Sequence, residues 1–246
     1  MMEYLRREIK EFAVLMRSVP ATVVTLFVVS VISMNLLANK TLVQTEFIAL
    51  DGGMLISWLS FMCMDVLTKH FGPKASNSIS VLAAAINLMC CVIYAIAGSI
   101  PSTAADYTEF DRILNGTWFI LLSSTAAFLL SACINNGVNW LLGKLLASNK
   151  NEKRVFLIRT YVSTMLGQFM DNFIFSILVF MFFAPRYWDG FSWTLLQCTS
   201  CALTGALAEL LMEILFSPYA YRVVKRWEKD EVGREYFAFT KKGEKI

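Results

Sequence analysis

Apolar segments long enough to cross a lipid bilayer recur along this chain, and they constrain its fold more than any other feature. Hydrophobic residues make up 57% of the 246 residues. About 20 apolar residues in a helix span the roughly 30 Å hydrocarbon core, where backbone polar groups must find their hydrogen bonds within the helix. We therefore predict an all-α integral membrane protein with six transmembrane helices, at about residues 20–37, 53–67, 79–100, 118–146, 156–183 and 193–221.

The basic residues predict the orientation of these six segments. Nineteen lysines and arginines fall on the side of the N-terminus, and three, Lys40, Arg112 and Arg186, fall on the other side. Because lysine and arginine near the ends of spans stay in the cytoplasm, both termini are predicted to be cytoplasmic.

Under this topology the whole chain, residues 1–246, forms a single transmembrane domain. Residues 1–18 are a cytoplasmic amphipathic segment, and residues 222–246 are a basic cytoplasmic tail. The prediction is a multi-pass membrane protein. The net charge of +3 follows from the topology, so we predict the lipid bilayer and no nucleic acid as a partner.

The fifth segment carries an acid near its middle. Gln168, Asp171, Asn172 and Phe175 recur at the spacing of one helical face. An ionisable group in lipid costs about 2.5–3.5 kcal/mol on insertion scales, so Asp171 is predicted to face a bundle interior or a wet cavity. This face is the first candidate for a substrate-binding site. The alternative is that Asp171 is a structural hydrogen-bonding group.

Further candidates lie in the other predicted spans. The remaining substrate-binding candidates are amide, acidic and aromatic side chains: Asn35, Trp58, Asn135, Asn139, Trp140 and Glu209. The amides and Glu209 can equally join helices to one another. A second group is predicted to be structural or gating: Asp65, Lys69, Arg159 and Glu213. Asp65 precedes Lys69 by four residues, which is the spacing of an ion pair on a helix.

Neither an enzyme nor a metal or cofactor site is predicted. The single histidine, His70, lies at the end of the second segment, and the sequence has no nucleophile and base pair, metal-ligand cluster or phosphate-binding loop. Carboxylate, amide and aromatic groups instead match a purine-like base. A carboxylate and an amide can read the adjacent N–H donors and carbonyl of a guanine-like edge while aromatic faces stack on the ring.

Several motifs resemble those of a known family. They are Asn35, Phe61-Met-Cys-Met-Asp65-Val-Leu-Thr-Lys-His-Phe-Gly72, Arg159-Thr-Tyr-Val-Ser-Thr-Met-Leu-Gly-Gln-Phe-Met-Asp-Asn-Phe-Ile-Phe175 and Ser217-Pro218-Tyr219. Together they resemble the VUT family of YhhQ-type queuosine precursor transporters over nearly all six segments. The resemblance implies an inner-membrane importer, without an ATPase of its own, for 7-deazaguanine bases or the free base queuine, which serve tRNA modification by salvage.

The chain departs from that family at two positions. Such proteins tend to have an acid in the fourth span, where this chain has Asn135-Asn136, and a sixth-span lysine is common near Glu209. Two alternatives stay open. The chain could be a substrate-binding membrane subunit that needs a separate energising complex, or a proton-coupled porter of another vitamin-like small molecule that uses Glu209 and Glu213. A homodimer is compatible with a bundle of this size.

Overall fold

The computed structural model describes residues 2–103, 106–146 and 152–243. Within these ranges the structure describes the backbone but not the side chains of residues 2–3, 65, 132–133, 135–136, 139–140, 143, 152–161, 163–164, 213, 217 and 241–243.

The described chain is mostly helical, as the hydropathy pattern predicts. The helices are α1 (Met2–Ser18), α2 (Ala21–Leu37), α3 (Met54–Phe71), α4 (Pro73–Ser99), α5 (Thr108–Leu145), α6 (Glu152–Ser176), α7 (Ala184–Tyr187), α8 (Leu195–Lys229) and α9 (Arg234–Gly243). A π-helical segment, Ile177–Phe183, joins α6 to α7.

A β-hairpin between α2 and α3 is not part of the sequence prediction. Its antiparallel strands are β1 (Thr41–Gln44) and β2 (Ala49–Asp51). The segment is too short and polar to register as a span, while the β-branched Thr41 and Val43 favour an extended backbone. The Thr45 N–H closes the turn by donating to the Ile48 carbonyl at 2.7 Å.

Four helical stretches in the described part of the chain are long and apolar enough to cross a membrane. They are Pro73–Ser99, Thr108–Ser131, Met165–Tyr187 and Leu195–Phe216. A fifth arises if Tyr4–Ser18 and Ala21–Leu37, which are bent by 104° at their junction, are counted as one broken span. Helix α3 coincides with the second predicted segment but is not among these stretches. The count of six spans and the orientation of the termini stay predictions.

The outer surface of α4 has the character of a lipid-facing helix. Val81, Val92 and Ile96 are exposed by 69%, 58% and 58%. Water would penalise each of these side chains, whereas lipid hydrocarbon does not. The exposed apolar surface therefore agrees with a helix immersed in a bilayer.

The first of two compact units comprises Met1–Ile32, Ile56–Asn87 and Met212–Ile246. Its buried apolar core includes Leu15, Leu67, Ile79 and Trp227. The core also holds Phe71 against Gly233, where a Cβ atom would lie 2.4 Å from the Phe71 ring. Gly233 also has a φ of +85°, so both sterics and backbone conformation require glycine there.

The second unit comprises Ser33–Leu55 and Leu88–Leu211. In its core the rings of Phe180 and Trp193 stack with centroids 3.7 Å apart. The backbone N–H of Trp193 also donates to the Phe180 carbonyl at 3.2 Å. The wide turns of a π-helix leave backbone groups to be satisfied, and this hydrogen bond satisfies one of them. The π-helical segment is therefore anchored in the core of this unit.

Candidate functional site

Three helices of the second unit bring polar side chains together. Ser131 on α5 donates from Oγ to Asp171 Oδ1 on α6 at 3.0 Å. The next residue, Asn172, lies with its Nδ2 3.5 Å from Glu209 Oε2 on α8, a long hydrogen bond. Helix α6 is thus linked to α5 through the carboxyl group of Asp171 and to α8 through the carboxyl group of Glu209. The structure brings together Asp171, Asn172 and Glu209, all of which the sequence predicts as binding residues.

The same face of α6 holds an unsatisfied acceptor. Gln168 and Glu209 are buried, with 7% and 6% of their surface exposed. Gln168 Oε1 accepts no hydrogen bond from any residue that the structure describes. Leaving a buried polar atom unpaired costs about 1–3 kcal/mol. Gln168 is therefore suited to accept a hydrogen bond from a ligand N–H.

Asn172 is held in place by two acceptors and a close neighbour. Its Nδ2 also donates to the Gln168 carbonyl at 3.1 Å, one helical turn back. Opposite it on α8 is Gly205, where a Cβ atom would lie 3.0 Å from Asn172 Nδ2. The missing side chain at Gly205 lets the amide fit between α6 and α8.

Ser131 is a site residue that sequence reasoning missed. It lies one helical turn before Asn135 and two turns before Asn139, so the recurrence of polar residues at that spacing could have identified it. Its Oγ is also 3.0 Å from the Phe128 carbonyl. A hydroxyl has one hydrogen and two lone pairs. Ser131 can therefore donate to an ionised Asp171, or accept from a protonated Asp171 while donating to Phe128.

Other predicted residues have different surroundings. Asn35 is 2% exposed, and its Nδ2 has no hydrogen-bond partner among the described residues. Phe175 meets Phe180 edge to face at 6.4 Å. Trp58 belongs to the first unit, where its ring stacks on Phe216 with centroids 4.5 Å apart. Lys69 is exposed near the end of α3.

The structure does not describe the side chains of six of the predicted residues. They are Asp65, Asn135, Asn139, Trp140, Arg159 and Glu213. Their backbones lie in α3, α5, α6 and α8, as the predicted spans require. Their roles in binding, structure or gating stay predictions.

Apolar helices that hold carboxyl and amide groups in their interior are typical of membrane transporters. The sequence profile of one family, described as "Putative vitamin uptake transporter", matches residues 51–223, well over half of the chain. The chain belongs to this family and is a membrane transporter. The matched range contains Ser131, Asp171, Asn172 and Glu209. Comparisons with curated proteins and with solved structures find no match.

Proposed function

We propose that this transporter imports queuosine precursors, either 7-deazaguanine bases or queuine, across the cell inner membrane by secondary or facilitated transport. Membership of the vitamin uptake family supports transport of a small organic molecule. The motif resemblance supports this class of ring. The observation that carries the proposal is the cluster of Asp171, Asn172 and Glu209 beside the unpaired acceptor of Gln168.

The chemistry of the cluster matches the edge of a guanine-type ring. Such an edge presents ring and exocyclic N–H donors next to a carbonyl oxygen. A carboxylate of Asp171 or Glu209 accepts from the donors, as does Gln168 Oε1. Asn172 donates to the ligand carbonyl by exchanging its long hydrogen bond to Glu209 for one to the ring. A ring without these donors would leave buried acceptors unpaired and would be rejected.

The remaining predicted residues complete the proposal. Phe175 is a candidate wall for ring stacking, and the side chains proposed to supply further contacts are Asn35, Trp58, Asn135, Asn139 and Trp140. Those proposed to have structural or gating roles are Asp65, Lys69, Arg159 and Glu213. The amides at Asn135 and Asn136 and the acid at Glu209 alter the charge of the site relative to the family that the chain resembles, so they are the positions proposed to select among bases.

The first test is uptake of queuine and its deazaguanine precursors by cells that lack their own importer, measured as queuosine in tRNA. Wild-type protein should restore queuosine at nanomolar base. The Asp171→Asn variant should lower initial uptake at least about tenfold, because it removes a charge-assisted hydrogen bond. Asp230→Asn is the matched control, since Asp230 is exposed and pairs with Arg226 at 3.5 Å.

Two outcomes would contradict the proposal. Normal uptake by a correctly inserted Asp171→Asn variant rejects the role of that carboxyl group. Failure of inserted wild-type protein to rescue with any of the bases rejects the substrate class.

Purified protein in liposomes tests whether the chain acts alone. Uptake without other proteins supports the secondary or facilitated mechanism. Rescue in cells together with no uptake in liposomes would instead favour the subunit of a larger energised complex. An uptake rate that does not respond to proton uncouplers would count against coupling through Glu209 or Glu213.

A further inference from the structure

We propose a second binding site for planar nitrogen heterocycles, in a cavity of the second unit that sequence reasoning did not identify. The cavity is open to solvent and has a volume of about 380 Å³, and its lining includes Asn39, Glu109, Arg112, Trp188 and Phe191. This volume lies in the range of pockets that hold small molecules. The site adds a second binding position to the proposed transport pathway, and the identity of its ring rests on the proposed function.

Two aromatic side chains supply the stacking surface. The Trp188 and Phe191 rings are 6.1 Å apart and tilted by 59°. Trp188 is half-buried, with Phe119 at 5.4 Å and Phe180 at 6.2 Å. These contacts hold the indole in position while it lines the cavity. A heterocycle that stacks on it loses little binding free energy to ordering the side chain.

A tight turn holds these two rings in place. Asp189 and Gly190, between them in sequence, have φ angles of 49° and 80° in the left-handed region. Asp189 also accepts a hydrogen bond from Arg112 Nη1 on α5. This exposed ion pair contributes only weakly to the turn, in which Asp189 belongs to a residue type that accepts positive φ more readily than most. The aromatic lining is therefore organised before a ligand arrives.

The charges around the cavity favour a neutral or cationic ring over an anion. Arg112 Nη2 donates to Glu109 Oε2 at 2.8 Å, so one guanidinium faces the carboxylates of Glu109 and Asp189. The ionised cluster has a net charge of about −1. A carboxylate has about four acceptor positions, so Glu109 can still accept from ligand N–H groups.

An amide fixed by its own hydrogen bonds completes the lining. Asn39 Nδ2 donates to the Leu36 carbonyl at 3.0 Å and to Thr117 Oγ1 at 3.1 Å. The predicted topology puts Lys40, Arg112 and Arg186 on the side of the membrane opposite the cytoplasm, where an imported molecule enters. The cavity is therefore positioned to hold the ring before it reaches Asp171.

Fluorine NMR tests occupancy directly. Full-length protein is labelled with 5-fluorotryptophan, reconstituted in lipid nanodiscs and titrated with 7-deazaguanine, and the Trp188 signal is assigned from its loss in Trp188→Phe. The Trp188 signal should shift and saturate. The Trp227 signal should stay in place, since Trp227 packs on His70 and Phe71 in the first unit. A Trp188 signal that does not move at concentrations that saturate uptake overturns the proposal.

The Glu109→Gln variant tests the charged lining. Because Glu109 is exposed, we expect up to about fivefold weaker binding at Trp188 and a KM for uptake raised by a similar factor. The maximal uptake rate and the unfolding temperature should match those of the control Glu228→Gln. Glu228 is also an exposed carboxylate in an i, i+3 ion pair, in its case with Lys225. Unchanged binding, or a loss of maximal rate and stability instead, overturns the role of Glu109.

The Asp171→Asn variant separates this site from the proposed function. Its Trp188 signal should still shift, because the two sites use different side chains. If wild-type protein imports no deazaguanine base but its Trp188 signal saturates, the proposed function fails and the second site stands. If uptake is normal and the Trp188 signal is silent, the second site fails alone.

Discussion

At the scale of single residues, the cluster between α6 and α8 depends on a missing side chain. Asn172 reaches Glu209 at 3.5 Å, and Gly205 leaves room for its amide. A methyl group at Gly205 would lie 3.0 Å from Asn172 Nδ2, closer than carbon and nitrogen normally pack. The contact between Asn172 and Glu209 is therefore sensitive to a change of one carbon atom.

We predict that Gly205→Ala lowers both stability and uptake. The displaced Asn172 should lose its bond to Glu209, and overpacking should lower the free energy of unfolding by about 1–3 kcal/mol. Initial uptake rate and thermal unfolding of purified protein measure the two effects. The control is Gly137→Ala, the same change on α5, where no described atom lies within 4 Å of the added carbon. Equal behaviour of the two variants would contradict the close approach at Gly205.

Asp51 is a buried acid outside the candidate spans. Only 6% of it is exposed, and burial raises its pKa from 3.8 to about 6. Hydrogen bonds from the backbone N–H groups of Gly53, at 2.7 Å, and of Met54, the first residue of α3, lower the pKa of Asp51 but do not outweigh its burial. Asp51 therefore caps the helix but resists ionisation.

We predict that Asp51→Asn changes how stability depends on pH. The folded pKa lies above the unfolded pKa, so the stabilisation from the protonated form is complete below about pH 4 and is lost as pH rises through 6. Relative to wild type, the Asn variant should gain about 2 kcal/mol between pH 4 and pH 7. Thermal unfolding at both pH values measures this, with Glu46→Gln in the same hairpin as control. A constant difference between variant and wild type would contradict the raised pKa.

At the scale of secondary-structure elements, the first and last helices are joined by a buried acid. Glu11 on α1 is 6% exposed. It accepts from Lys74 Nζ at 2.8 Å and from the Tyr236 hydroxyl of α9 at 3.3 Å. Burial, followed by the charge of Glu11, raises the pKa of Tyr236, so this hydroxyl stays a donor at neutral pH. Arg17 and Glu235 add an exposed ion pair between the same two helices.

We predict that Glu11→Ala loosens α9 from α1. The change leaves the buried Tyr236 hydroxyl without its acceptor and should lower the free energy of unfolding by about 1–3 kcal/mol. Glu8→Ala is the matched control, because Glu8 contacts the same Lys74 at 3.0 Å but is more exposed, and it should cost about 1 kcal/mol at most. Thermal unfolding and limited proteolysis of the C-terminal segment distinguish the variants. Equal losses would show that burial of Glu11 is not the cause.

The π-helical segment is a structural feature that the hydropathy of the sequence does not predict. A continuous α-helix through 156–183 satisfies the apolar pattern equally well. The packing of Phe180 on Trp193 and the hydrogen bond to the Phe180 carbonyl support the wider turn. Short π-helical stretches are frequent at functional sites, and this one begins directly after the face that carries Asp171 and Phe175.

At the scale of the whole molecule, the number of spans is the main structural prediction still to be tested. Hydropathy and charge together predict six, with both termini in the cytoplasm. By length and hydropathy the described helices contain four candidate spans, or five with the bent pair. The difference lies in α2 and α3, which flank the hairpin, so the location of the hairpin decides it.

We predict that the hairpin is on the side of the membrane opposite the cytoplasm. Single cysteines replacing Phe47, Ser102 and Glu228, in a variant without native cysteines, are treated with a thiol reagent that cannot cross the inner membrane. Phe47, at the exposed hairpin turn, and Ser102 should become labelled in intact cells, and Glu228 only after permeabilisation. Labelling of the Phe47 position only after permeabilisation would contradict a crossing by α2.

Sequence alone determined the helical class and the main polar face. A backbone in lipid must satisfy its own hydrogen bonds, so long apolar runs form helices. The period of a helix then places Gln168, Asp171 and Asn172 on one side. These properties are local, so they can be read from neighbouring residues. Glu209 was recognisable for the same reason, because an acid in an apolar run needs a partner.

Only the tertiary structure decided which side chains meet. Ser131 is 40 residues before Asp171, and Glu209 is 37 residues after Asn172, so their contacts depend on how α5, α6 and α8 pack. Arg112 and Asp189 are separated by 77 residues and meet beside the cavity for the same reason. Sequence spacing determines which face of a helix a residue occupies. The partner opposite that face is set by packing between distant segments, which no local pattern encodes.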